Sequence, residues 1–188
     1  MKQDRVVLKL TFIALYSALF IVLDYAAHTF GMFQMPNGGS LGLGSLAILV
    51  AAYHLGWKEG IAVGLISIPL QILSSGGIWF TPTWPLIGLL LDYVIPFGIY
   101  GLAPVFKDFN VGKVKIPVGI IIVNLIRAFS HTLVGAYLWA ESAAGSLGAW
   151  SFSATYNLTY MIPTLIMGAL LVPLIISRLP KKYLKDQG

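Results

Sequence analysis

Five ionisable side chains interrupt otherwise apolar stretches of the chain: Asp24, His28, Asp92, Arg127 and His131. Gln71, Asn124 and Asn157 are their neutral polar companions. Such groups are expensive inside a bilayer and are functional or paired. Asn124, Arg127, His131 and Gly135 are spaced i, i+3, i+7, i+11, which is one face of a helix, and Trp139 extends that face by a turn. An amide, a guanidinium, an imidazole, a gap beside the backbone and an aromatic lid make the wall of a pocket for a small planar polar molecule. The structural alternative is that Arg127 pairs with Asp92 or Asp24. Asp92-Tyr93 sets a carboxylate beside an aromatic ring, which suits an amino or cationic group. Further on lie Tyr156, Asn157 and Tyr160, and an asparagine below the interface needs a hydrogen-bond partner.

Other chemistries find little support. Asp24 and His28, at i and i+4, are too few for a metal site and are expected to bond each other or a loop. No metal and no cofactor are implied. Ser130 and His131 are adjacent, so on a helix their side chains diverge by about 100° and cannot form a nucleophile–base pair. There is no HExxH, and the only Gly-Lys pair, Gly112-Lys113, lacks the P-loop pattern. No catalytic residue is assigned. Uphill transport would therefore draw its energy from an ion gradient or a partner. The absence of cysteine excludes disulfides, thiolate metal sites and cysteine nucleophiles.

The elements that hold these residues follow from composition. Of 188 residues, 57% are hydrophobic and 10% charged, and the mean hydropathy is +0.83. Soluble domains carry about 25% charged residues, so this chain cannot cover a water-facing surface. It reads as an all-α integral membrane protein, a compact bundle of six transmembrane helices forming one domain over residues 1–188. The expected spans are about 8–30, 41–56, 60–75, 85–106, 116–140 and 152–176, separated by Gly-, Pro- and Ser-rich breaks. The second and third are short for a full crossing.

Eleven of the twelve basic residues sort to one side. Lys2, Arg5 and Lys9 precede span one, and Lys58 separates spans two and three. Lys107, Lys113 and Lys115 follow span four, while Arg178, Lys181, Lys182 and Lys185 follow span six. By the positive-inside rule both termini are cytoplasmic. The +5 net charge is then a signature of the cytoplasmic leaflet and not of nucleic acid binding. This orientation puts most of the buried polarity in the outer half of the bundle, as in a cavity open to the exterior. Trp79, Trp84, Trp139 and Trp150 fall near the outer boundary, where an aromatic belt also places tryptophan. Ala14 and Ala18 form a small-xxx-small pair suited to close approach of another helix, within the bundle or from a partner.

The runs MPNGGS (35–40) with LGLGS, GWKEG (56–60), LLLDY (89–93), RAFSHTLVGAYLW (127–139) and TYNLTYMIP (155–163) resemble the thiamine-specific S components of energy-coupling factor transporters. The resemblance spans essentially the whole chain. Phe33 stands where a first-loop tryptophan is usual, and Asp92 where glutamate is frequent. The resemblance implies a high-affinity thiamine-binding subunit in the cytoplasmic membrane of a prokaryote. It would capture the vitamin from outside under a lid made by the first outer loop, then dock with a transmembrane coupling protein and two cytoplasmic ATPases.

Residue by residue, the resemblance implies that Asp92 faces the aminopyrimidine, Tyr93 lines the pocket, and His131 and Trp139 sandwich the rings. Gly135 would make room and Asn157 would hydrogen-bond the ligand, while Phe33, Trp84 and Tyr156 complete the substrate-binding set. Ala14 and Ala18 would dock on the coupling protein. The alternatives are an S component for a related pyrimidine precursor or another vitamin, and a self-sufficient small-solute carrier. An intramembrane enzyme using Asp24, His28 or His131 is disfavoured because no nucleophile–base pair is present.

Overall fold

A computed structural model describes residues 2–74, 78, 80–82, 84–112 and 114–179. Trp79, Lys113, Lys181, Lys182 and Lys185 lie outside the described residues. Among those described are six helices: α1 (Lys2–Thr29), α2 (Ser45–Leu55), α3 (Trp57–Ser74), α4 (Pro85–Val105), α5 (Val118–Trp139) and α6 (Leu147–Arg178). A small antiparallel hairpin, β1 (Phe109–Val111) and β2 (Val114–Ile116), joins α4 to α5. The hairpin was not anticipated. It forms because Gly112, at φ +60°, supplies the left-handed residue of its two-residue turn.

Four helices (α1, α4, α5 and α6) are long and apolar enough to cross a membrane. This makes the chain a multi-pass membrane protein, though not through six equal spans. α2 has only 11 residues, about 16 Å of helix, and lies at the centre of the bundle with Ser45 to Ala52 all buried. A helix that is apolar on every side is stable only when surrounded. Here Phe20, Val63, Phe97, Tyr100, Ile120, Val123 and Val172 close around it. α6 starts five residues before its expected boundary because the Ser146 hydroxyl caps it, accepting the Ala149 amide at 3.1 Å. At one end of the bundle Lys9 pairs with Glu59 at 2.9 Å, bringing the start of α1 against the α2–α3 turn.

α4 is not a regular helix. It changes from α to π geometry over Leu90–Val94 and returns to α at Ile95. Pro96 explains the change. In the wide turn the Ile95 amide bonds the Leu90 carbonyl, five residues back. The next carbonyl, Leu91, would need the amide of residue 96, and proline has none. Ser130 on α5 supplies the missing donor, its hydroxyl lying 2.5 Å from the Leu91 oxygen. Ser130 is thus a stitch between α4 and α5, placed beside Asp92. A second π turn covers Gly135–Trp139 at the end of α5, where the Gly145 amide takes up the Ala136 carbonyl at 2.9 Å.

Ser130→Ala removes the only side-chain donor to the Leu91 carbonyl in this arrangement. Leaving a buried acceptor unmet costs about 1–3 kcal/mol. A fall in the melting temperature of the detergent-purified variant, with retained helix content by circular dichroism, is the expected result; unchanged melting would refute the stitch.

Candidate functional site

One cavity of about 320 Å³ opens between the helices, within the range of roughly 300–1,000 Å³ usual for small-molecule sites. Its walls come from α1 (Phe20, Asp24, His28), the first loop (Asn37 to Ser40), α3 (Gln71), α4 (Asp92, Tyr93, Phe97), α5 (Arg127, His131, Gly135, Trp139) and α6 (Phe152, Ser153, Tyr156, Asn157, Tyr160). Both π turns border it: Asp92 and Tyr93 come from the first, the Gly135 backbone and the Trp139 side chain from the second. Wide turns of this kind recur at functional sites because they re-aim side chains that a regular helix would carry past.

The charges are arranged in a directed chain. His131 Nδ1 lies 2.7 Å from Asp92 Oδ1. Arg127 donates through Nε to His131 Nε2 at 3.2 Å and through Nη1 to the Tyr100 hydroxyl at 3.0 Å. Tyr100 donates to Asn124 Oδ1 at 2.9 Å, and Asn124 Nδ2 donates to the Ile120 carbonyl at 2.8 Å. The guanidinium also stacks on Phe97 and Tyr100, 4.9 and 5.2 Å from their centroids. Arg127 therefore does not pair with Asp92 directly; the imidazole stands between them. The face read from the spacing on α5 is present, but Asn124 serves the chain from behind and does not reach the cavity.

α6 supplies the opposite wall. Asn157 Nδ2 donates to the Ser153 carbonyl at 2.9 Å and to its hydroxyl at 3.3 Å, while Tyr160 donates to Asn157 Oδ1 at 2.6 Å. The amide nitrogen of Asn157 is thus held against Ser153, and Oδ1 keeps a lone pair besides the one that Tyr160 takes. Gly135 does border the cavity, but the space it vacates is filled by protein. A Cβ there would collide with Ser153 Oγ and stand 2.9 Å from Ser153 Cβ. The glycine lets α6 approach α5, so that Ser153 can bond the Thr132 carbonyl at 2.9 Å.

The first loop closes over the top. Tyr156 donates to the Gly38 carbonyl at 2.8 Å and accepts the Asn37 amide at 2.9 Å. Gly39, at φ +90°, lies so close to Tyr160 that a Cβ would be 2.7 Å from the ring. Deeper in the loop the Gly42 amide donates to Thr164 at 2.9 Å, and Ser40 and His28 approach to 3.4 Å. His28 thus meets a loop, one of the two partners expected for it.

Seven of the nine residues expected to bind substrate line the cavity; Phe33 and Trp84 do not. Both have left-handed backbones (φ +52° and +54°) that turn the chain, and both side chains are exposed, by 52% and 66%. Trp84 turns immediately before Pro85, at the N-terminus of α4. Sequence reasoning missed Phe20, Phe152 and Ser153. Apolar or small residues carry no chemical signal, and only packing tells a wall from a core position. Ala14 and Ala18 lie on the exposed face of α1 and not within the bundle.

The family model described as "Thiamine transporter protein (Thia_YuaJ)" matches residues 10–184. The thiamine transporter ThiT of Bacillus subtilis (strain 168) is 29% identical over 199 residues, covering 100% of this chain and 100% of that protein. Among solved structures, ThiT from Listeria monocytogenes superposes with a TM-score of 0.69 over 95% of this chain and 98% of its own, at 18% identity, a likeness of fold. Since the family match runs through all six helices and every wall of the cavity, the chain belongs to the thiamine transporter protein family, a family of transporters and not of enzymes.

Proposed function

We propose that this chain is the thiamine-binding S component of an energy-coupling factor transporter in the cytoplasmic membrane of a prokaryote. One observation carries the ligand assignment. Within a single cavity, a carboxylate (Asp92), an imidazole (His131) and an indole (Trp139) converge beside a loop latched by Tyr156. Thiamine is a cation built of two flat heterocycles joined by a methylene, one of them carrying an exocyclic amine. Asp92 Oδ1 is taken by His131, which leaves Oδ2 to receive the amine, while Tyr93, His131 and Trp139 offer ring faces to the two heterocycles. Asn157 accepts through Oδ1. Cation attraction strengthens as water is displaced from such a site. Phe33 and Trp84 take no part unless the loops move.

Arg5, Lys9, Lys58, Lys107 and Arg178 support cytoplasmic termini by the positive-inside rule, which opens the loop-covered cavity to the exterior. The exposed Ala14–Ala18 ridge supports docking of α1 on a transmembrane coupling protein that is driven by two cytoplasmic ATPases.

Tryptophan-fluorescence titration of the purified protein tests the ligand. Saturable quenching by submicromolar thiamine is expected, and it should be abolished over that range in His131→Ala. Hydrogen bonds to a charged group are worth about 1.5–3 kcal/mol, so Asp92→Asn should weaken binding by about ten- to a hundredfold. Quenching by an aminopyrimidine precursor but not by thiamine would move the specificity and keep the architecture. Tyr156→Phe, which loses both loop bonds, should raise the dissociation rate by about five- to thirtyfold at roughly 1 kcal/mol per bond. An unchanged rate would show that the loop is not the latch. Replacing Ala14 and Ala18 together with leucine should leave thiamine binding intact and abolish uptake in cells expressing the coupling subunits. Retained uptake would exclude this face as the docking ridge.

A further inference from the structure

We propose that Arg127 is the positioning residue of the binding site, fixing the tautomer of His131 and thereby the direction in which His131 and Asp92 face the ligand. The proposal rests on reading the cavity as the thiamine site, but its first step concerns the empty protein alone. A guanidinium has donors and no acceptor. Because Arg127 Nε points at His131 Nε2 from 3.2 Å, that nitrogen must present its lone pair. The ring proton of a neutral imidazole then resides on Nδ1, where it is donated to Asp92 Oδ1 at 2.7 Å.

The rest of the chain makes this direction unambiguous. Asn124 must offer its amide nitrogen to the Ile120 carbonyl, so its oxygen faces Tyr100. Tyr100 spends its one proton on that oxygen and keeps a lone pair for Arg127 Nη1. Each member has one role, and reversing any link would set two donors or two acceptors against each other. Phe97 and Tyr100 hold the guanidinium flat between them. The α4–α5 seam thus carries an oriented wire from Ile120 to Asp92. Arg127 acts through the imidazole, and its two bonded nitrogens face protein.

Two substitutions separate this from a purely structural role. The side-chain nitrogen of Arg127→Gln occupies the place of Nε, four atoms from Cα, and keeps the donor to His131. Arg127→Met has the same length and no donor. The protein has three histidines, so ¹⁵N-histidine labelling with His131→Ala as the assignment control resolves the ring of interest. In ligand-free wild type His131 is expected as the Nδ1–H tautomer. Arg127→Gln should retain that tautomer and Arg127→Met should lose it.

In thiamine titrations, Arg127→Met should bind about tenfold or more weakly, with little additional loss when combined with His131→Ala. Arg127→Gln should recover part of the loss. The Nε2–H tautomer in wild type would overturn the proposal even if no variant folds. So would equal losses in the Gln and Met variants, or full additivity with His131→Ala. A wild-type protein that shows the expected tautomer but does not bind thiamine would overturn the ligand assignment and leave the positioning role standing.

Discussion

A guanidinium in the middle of a membrane-spanning helix constrains everything around it. Arg127 is 7% exposed, and an unpaired charge there would be heavily penalised. The bundle meets it with two aromatic faces, a phenol, an imidazole and, beyond the imidazole, a carboxylate. Buried ion pairs are rarely a net source of stability when compared with well-packed apolar groups. Their value here is directional: only one arrangement satisfies all five side chains, which fixes the register of α4 against α5.

That register depends on a deliberate irregularity. Pro96 prevents α4 from remaining a regular helix through Asp92, and the wide turn it accompanies leaves the Leu91 carbonyl for Ser130. Asp92 and Tyr93 lie inside that turn, and Gly135 and Trp139 inside the equivalent turn of α5. Cavity-lining residues and helical defects therefore coincide. The two wide turns border the cavity between α4, α5 and α6.

Small residues decide how the remaining walls meet. Gly135 admits Ser153, and Ser153 in turn fixes the amide of Asn157. Gly39 lets the first loop lie flat on Tyr160 while Tyr156 grips the backbone on either side of Gly38. The loop is thus attached to α6 chiefly through its main chain. Few of its side chains are committed to holding it, which frees it to cover a ligand without dictating the chemistry inside.

The sequence by itself determined the class of protein, the six helices to within a few residues at most boundaries, and most of the polar residues that line the cavity. Burial in lipid is enforced by composition, and a charge such as Asp92 or Arg127 inside an apolar run stands out without any knowledge of contacts. Spacing alone placed Arg127, His131 and Trp139 on one face. Only the tertiary structure decided which carboxylate meets the imidazole, that Arg127 reaches Asp92 through His131, and that Ser130 serves a backbone carbonyl. It also decided that Phe33 and Trp84 stay off the cavity while buried Phe20 lines it. Pairing across helices depends on register, and register depends on where α4 and α5 widen. Pro96 marks the α4 turn within its own segment, but the Ser130 hydroxyl that meets the Leu91 carbonyl comes from another helix, which that segment does not contain.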